Sequence, residues 1–305
     1  MSFWVPDTIA TLQGAVSDTL HSARAAAESG AQGSAIFSEL LHHVQDSHEL
    51  ELPWGRVELP AFPPVHIGSV SIDLSITKHV VFLWVAALFV IVLMVAAAKK
   101  NRKSKIPTGL GGVVEIFVTF IRDEIALPNM GTVGLKYLPY LLTTFFFILT
   151  MNLSGIIPYG STATGNISVT AGLAAIAFLM IQFSAIRSQG FGHYLAHFTG
   201  GVHWALWPIM IPIEVLGIFT KVFALCMRLF ANMTGGHIVI LSFIGLIFLF
   251  KSYYIAPASV GFALFVYLLE LFVAFLQAYV FTMLTALFMG LGIQTEHQEH
   301  AEQSH

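Results

Sequence analysis

Charge is scarce in this chain. Only 10% of its 305 residues are Asp, Glu, Lys or Arg, where an ordinary soluble domain carries roughly 25%. So few polar groups cannot cover a globular surface of this size, and a water-soluble domain is excluded. The charges nearly balance, leaving a formal net charge of −3, so there is no basic surface for nucleic acid. Cysteine is almost absent. Cys226 stands alone in an apolar run, which excludes an internal disulfide framework and a cysteine-based metal site. No Gly-rich loop ending in Lys-Ser/Thr occurs, so there is no phosphate cradle for a nucleotide, and no cofactor is implied. The opening "MSFWVPDTIATLQGAV" lacks the basic and unbroken apolar regions of a signal peptide. Asp7 and Asp18 without an early Arg argue against a mitochondrial transit peptide.

What the chain has instead is apolar mass. Hydrophobic residues make up 56%, with 26 Phe among them, a composition whose natural solvent is lipid. Four zones follow along the sequence. Residues 1–46 form a polar extension without recognisable chemistry. Residues 47–77 alternate apolar and polar side chains in "HELELPWGRVELP" and "VSIDLSIT", the period of a half-buried strand. A small extramembrane β-hairpin is expected there. Residues 78–292 are the membrane domain, and 293–305 are a polar tail expected to be disordered. The tail's three His are read as solvated rather than metal-binding.

Within the membrane domain, 79–98 is long and apolar enough to span, and it ends in five cations between 99 and 105. That cluster marks the cytoplasmic or matrix side. Residues 109–128 carry Glu115, Arg122, Asp123 and Glu124 on an amphipathic pattern and read as an interfacial helix. Residues 137–160 and 167–186 cross next, with Arg187 at the inner end and a mixed connection over 188–207. Two apolar segments remain, from about 208 to 250 and from about 256 to 291. About 20 helical residues suffice to cross a 30 Å hydrocarbon core, and each segment is far longer. The fold class is therefore an all-α polytopic membrane protein of about five embedded helices. The last two are expected to be steeply tilted and packed as an antiparallel hairpin around "KSYYIAP".

Polar residues inside these segments carry the functional signal, because an ionisable side chain at the bilayer centre costs about 2.5–3.5 kcal/mol on insertion scales. The first long segment holds Glu214, Lys221, Arg228, Asn232 and His237, and the second holds Glu270 and Gln277. At about 100° per residue, a seven-residue step returns within about 20° of its start. Glu214, Lys221 and Arg228 therefore share one helix face, and Asn232, four residues on, stays near it. Gly217, Ala224, Gly235 and Ser242 lie on the same stripe, where small residues allow another helix to approach closely. His237 is nine residues from Arg228 and points the opposite way, whereas Glu270 and Gln277 share a face of their own. The plainer alternatives are an Arg228 ion pair with Glu270 or Glu214 that only locks helices, snorkelling of Lys221, Glu214 and Lys251 to the interface, and hydrogen bonding of Asn152 and Ser154 to helix backbones.

"RLFANMTGGHIVI" resembles the core motif of subunit a of rotary F-type ATP synthases, the stator channel of the membrane Fo sector. The resemblance runs from "ITKHVVFLW" to "LTALFMGLG" and includes "NLSGIIP" at 152–158 and "ELFVAFLQAYVF" at 270–281. Some bacterial members carry an acid where His237 stands and a His where Glu270 stands. The exchanged pair here keeps one acid and one imidazole, which argues that the two residues meet. What the resemblance implies is a non-catalytic subunit that offers two offset half-channels to a rotating ring of c subunits. Further partners would be b-type peripheral stalk subunits, other ATP synthase subunits and the lipid bilayer, with no nucleic acid. Arg228 would separate the half-channels, and Gln277 and Asn232 would orient it or the ring carboxylate. His237, Glu270 and Asn152 would serve the outer half-channel, and Glu214 and Lys221 the inner one. The bacterial plasma (inner) membrane is the expected location, with the mitochondrial inner membrane as the alternative. A secondary transporter or channel binding an anion at Arg228 is the competing function, although no internal repeat supports it. A purely structural anchor would leave the polar stripe without a cause.

The His237–Glu270 exchange generates a test. In assembled complexes, His237→Glu alone is expected to lower ATP-driven proton pumping in membrane vesicles, and adding Glu270→His to restore part of it. A double variant no better than the worse single one would reject the pairing.

Overall fold

The computed structural model describes residues 49–52, 55–60, 65–67, 70–72, 75, 77–103, 109–157, 163–192, 194, 206–250, 254 and 256–302. The expectations for 1–46 and most of the 188–207 connection lie outside them. The described strands are short and form two antiparallel ribbons. One pairs β1 (Glu49–Leu52) with β2 (Gly55–Glu58), and Leu50 stands opposite Val57. The other pairs β3 (Val65–Ile67) with β4 (Val70–Ile72), and His66 stands opposite Ser71. Alternation in 47–77 thus produces two small ribbons where one hairpin was expected.

Everything else is helical. Helix α1 (Lys78–Lys103) has neither Pro nor Gly and closes on Lys99, Lys100 and Arg102, cations that suit the negative end of the helix dipole. A nearly continuous helical run then covers Leu110–Ile156. It is divided by Gly131, whose φ of 59° is open to glycine and strained for L residues. Before that break lie α2 (Leu110–Phe120), a wide π turn (Ile121–Ala126) and the short α3 (Leu127–Met130). This is the segment expected to be interfacial. Its π turn buries Ile121, Ile125 and Ala126 and leaves Arg122 exposed, paired with Asp123 at 2.7 Å. After the break, a 3-10 turn (Gly131–Val133) leads into α4 (Gly134–Ile156). A second 3-10 turn (Ala163–Gly165) precedes α5 (Ile167–Gln189). The α5 N-terminus is capped by Asn166, whose side chain accepts from the Ser168 N–H at 2.8 Å. Its C-terminus turns at Gly190, with φ of 80°.

The two long segments are α6 (Trp207–Phe250) and α7 (Ala256–Glu302). Among the described residues, five helical stretches are long and apolar enough to cross a membrane, so the chain is a polytopic α-helical membrane protein. Helix α7 runs on to Glu302, through most of the tail expected to be disordered. Beyond Gly292 that tail has no Gly or Pro, and its Gln, Glu and Ala are good helix formers.

The chain divides into two compact units. The larger comprises the described residues of Asp46–Gly235 and Leu268–His305, and the smaller contains Gly236–Tyr267. In the larger unit, Asn232 meets Gln277 and Lys221 meets Phe288. One index rises as the other falls, so α6 and α7 run antiparallel there. In the smaller unit, Phe243 stacks on Phe262 with centroids 5.6 Å apart, and the Ser259 hydroxyl donates to the Phe243 carbonyl. The core of the larger unit centres on Phe117, Phe145, Phe146 and Phe275, whose ring centroids lie 5.4–5.9 Å apart. Such pairs add about 0.5–1.5 kcal/mol each beyond their burial, and these join α2, α4 and α7. Toward its C-terminal end α7 is fixed by glycine. A Cβ on Gly290 would stand 2.0 Å from the Asn129 carbonyl oxygen, and one on Gly292 would stand 2.9 Å from Ala185 Cβ. The Gln189 amide also donates to the Gly292 carbonyl.

The glycine approach is testable. Gly290→Ala is expected to lower the thermal stability of the purified subunit by about 1–3 kcal/mol, since a backbone oxygen must move. Gly172→Ala, where an added Cβ meets nothing within 4 Å, is expected to be neutral or slightly stabilising. Equal effects at both positions would contradict the packing.

Candidate functional site

Helix α6 sorts its residues by face. Leu225, Cys226, Leu229 and Met233 are buried within the chain, while Gly217, Lys221, Ala224, Arg228, Ala231, Asn232 and Gly235 are exposed. The small-residue stripe read from the sequence is therefore exposed, and an added Cβ at Gly217 or Gly235 meets nothing within 4 Å. Arg228 sits 21 residues after Trp207 and 22 before Phe250, at the middle of the helix. Among the described residues it makes no hydrogen bond or ion pair. The reading in which Arg228 simply locks to Glu270 or Glu214 has no such contact behind it.

Neutral polar groups of α6 and α7 meet one turn from Arg228. The Asn232 Nδ2 donates to the Gln277 Oε1 at 2.8 Å. Gln277 is buried, and its Nε2 has no hydrogen-bond partner among the described residues. A buried donor left unpaired costs about 1–3 kcal/mol, so this amide is held in place with one arm unused. Glu270 lies seven residues before it on the same face of α7 and is only 4% exposed.

The remaining expected residues fall at three other places. Asn152, fully buried in α4, donates its Nδ2–H to the Ala274 carbonyl of α7 at 3.3 Å and accepts from the Thr164 hydroxyl at 2.8 Å. The backbone-bonding alternative therefore describes its contacts, as it does for Ser154, whose hydroxyl donates to the Met151 carbonyl at 2.7 Å. Lys221 places its Nζ 5.2 Å above the Phe288 ring of α7, a cation–π contact worth about 0.5–1 kcal/mol when exposed. It borders a small pocket of about 40 Å3 that is apolar apart from Lys221 and Gln182. Glu214 is half-buried near the start of α6. Burial, and then the Glu214 carboxylate, push the Tyr194 phenol above its ordinary value. His237 is half-buried and belongs to the smaller unit. Among the described residues, no three His, Cys, Asp or Glu side chains are grouped to hold a metal ion.

Thr164 and Tyr194 were not singled out by sequence reasoning. Neither carries a spacing signal. Thr164 lies in a short turn 12 residues from Asn152, and Tyr194 lies 20 residues from Glu214 in a mixed connection. Only the fold brings each to its polar neighbour.

Comparison with known proteins covers most of the chain. A family model described as "ATP synthase A chain" matches residues 80–290. "ATP synthase subunit a" of Chloroherpeton thalassium is 51% identical over 271 residues, spanning 88% of this chain and 79% of the relative. "ATP synthase subunit a 2" of Chlorobaculum tepidum is 54% identical over 257 residues, spanning 83% and 72%. A more distant relative, "ATP synthase subunit a" of an Anaeromyxobacter species, is 45% identical over 297 residues, spanning 87% and 72%.

The amide contact has a measurable consequence. Asn232→Ala leaves the buried Gln277 amide with neither arm bonded and is expected to cost about 1–3 kcal/mol in thermal denaturation. Adding Gln277→Leu removes the orphaned groups and is expected to recover most of that loss. A double variant no more stable than Asn232→Ala would count against the contact.

Proposed function

Since the chain belongs to the ATP synthase A chain family, we propose that it is the stator proton channel of an F-type ATP synthase. It carries protons to and from the carboxylates of a rotating c-ring through two offset half-channels. The observation that carries this reading is Arg228: an exposed guanidinium, unpaired among the described residues, at the middle of a 44-residue apolar helix. At that depth a charge costs about 2.5–3.5 kcal/mol, so an anion must meet it from outside the chain. The surrounding stripe of Gly217, Ala224, Ala231 and Gly235 is low enough for a partner helix to pass close by. A ring of helices, each with one membrane carboxylate, supplies both the helix and the anion.

The chemistry follows from the groups available. A guanidinium stays protonated at pKa above 12 and cannot relay a proton. It favours the ionised form of a carboxylate that comes beside it. A protonated ring carboxyl arriving from the lipid gives its proton to water in the inner half-channel, and the carboxylate is then attracted to Arg228. Further rotation carries it to the outer half-channel, where it is protonated again. The fixed charge of Arg228 blocks direct passage of protons between the two sides. Asn232, exposed one turn from Arg228, is held by its bond to the buried Gln277 amide and is placed to orient the guanidinium or the ring carboxylate.

Glu270 is the buried acid of the outer half-channel. His237 is assigned to the same half-channel on its chemistry, because imidazole titrates near neutral pH. Asn152 contributes to that half-channel by holding α7. Glu214 serves the inner half-channel beside Tyr194, with Lys221 farther along the stripe. Each proton that crosses 100 mV releases about 2.3 kcal/mol, and several are needed per ATP. The ATP chemistry takes place on other subunits, and this one is non-catalytic. Its partners are the c-ring, b-type peripheral stalk subunits and the remaining ATP synthase subunits, in a bacterial plasma membrane.

Arg228→Ala is expected to abolish proton-driven ATP synthesis in vesicles whose complexes assemble normally. Arg228→Lys is expected to fail as well, because an ammonium lacks the planar fork and deprotonates more readily. Synthesis retained in Arg228→Ala would refute this function.

A further inference from the structure

We propose that Thr164 and Asn152 form a positioning clamp that fixes the rotation of α7 and thereby aims Gln277 and Glu270. The inference rests on the channel function above and adds a residue, Thr164, that has no role in it. Three elements meet in the clamp. Asn152 is in α4, Thr164 is in the 3-10 turn before α5, and Ala274 is in α7. All three residues are buried to the point of zero exposure.

The contact to α7 goes to its backbone. In a helix the Ala274 carbonyl already accepts from the N–H four residues on, and its second lone pair remains available. Asn152 Nδ2 uses that lone pair at 3.3 Å. A hydrogen bond is directional and weakens steeply off axis, whereas the apolar contacts around it tolerate small rotations. Ala274 stands four residues after Glu270 and three before Gln277, so both side chains project about 40–60° round the helix from it, on the same flank. A 20° turn of α7 would carry a side-chain atom about 6 Å from the axis through about 2 Å. That displacement is enough to break the 2.8 Å contact between Asn232 and Gln277.

Thr164 decides which way the Asn152 amide faces. Its hydroxyl donates to Asn152 Oδ1 at 2.8 Å, which leaves Nδ2 as the arm toward α7. With the amide reversed, two oxygens would face each other at Ala274, and a hydroxyl could no longer donate to its neighbour. A threonine is therefore needed at 164 for its O–H and not for its methyl group.

The test uses whole complexes in inverted membrane vesicles, with passive proton flow, its pH profile and c-ring copurification measured for each variant. Thr164→Ser, which keeps the donor, is expected to assemble and conduct within about twofold of the parent. Thr164→Val and Asn152→Asp, whose carboxylate cannot donate to Ala274, are expected to assemble and lose at least tenfold in flux, with a displaced pH profile. Asn152→Leu combined with Thr164→Val removes both partners together, which is nearly neutral for stability, and is expected to assemble and conduct equally poorly. Normal flux and an unmoved pH profile in any assembled variant of the last three would overturn the clamp. Failure of all three to assemble would make it a structural pin only and would also overturn it. Arg228→Ala in the same vesicles separates the two ideas. If it makes no ATP under a proton gradient while Thr164→Val conducts normally, only the clamp is wrong, whereas proton-driven ATP synthesis in Arg228→Ala removes the channel itself.

Discussion

A guanidinium halfway along a 44-residue apolar helix has, among the described residues, no counterion in its own chain. The rest of the larger unit can be understood as what is needed to keep Arg228 in that state. On its helix Gly217, Ala224, Ala231 and Gly235 are exposed on the same side as the charge, and an added Cβ at Gly217 or Gly235 meets nothing within 4 Å. The neighbouring polar groups are neutral amides, which can bond to each other without cancelling the charge.

Helix α7 is the reference against which this arrangement is held. Aromatic rings grip it from α2 and α4 near Phe275. Gly290 and Gly292 let it lie directly on the Asn129 backbone and on α5 farther along. Two directional contacts reach its backbone, from Asn152 to the Ala274 carbonyl beside Phe275 and from Gln189 to the Gly292 carbonyl. Apolar packing fixes the distance between helices well and their rotation less well, because dispersion forces have little angular preference. Polar contacts to the backbone supply the angular constraint.

Several features were legible in the sequence for simple reasons. Membrane spans follow from length and apolarity, which depend on local composition alone. The shared face of Gly217, Lys221, Ala224 and Arg228 follows from helical periodicity and reappears as the exposed side of α6. Local cues were less reliable where two outcomes were close in energy. The alternation in 47–77 produced two ribbons and not one hairpin, and the polar end of the chain continued as helix to Glu302. The amphipathic segment expected to be interfacial and the span after it form one nearly continuous helical run, divided at Gly131.

Periodicity and side-chain chemistry by themselves determined which segments are long and apolar enough to span and which residues share a helix face. They did so because one helix carries its own geometry at every residue. Tertiary structure alone decided which groups from different segments meet. Gln277 came to Asn232 across 45 positions, and Asn152 came to Ala274 across 122. Thr164 acquired a role from a turn that has no pattern of its own. Such contacts depend on the rotation and register of packed helices, set by many weak side-chain interactions acting together, and no single spacing in the chain encodes them.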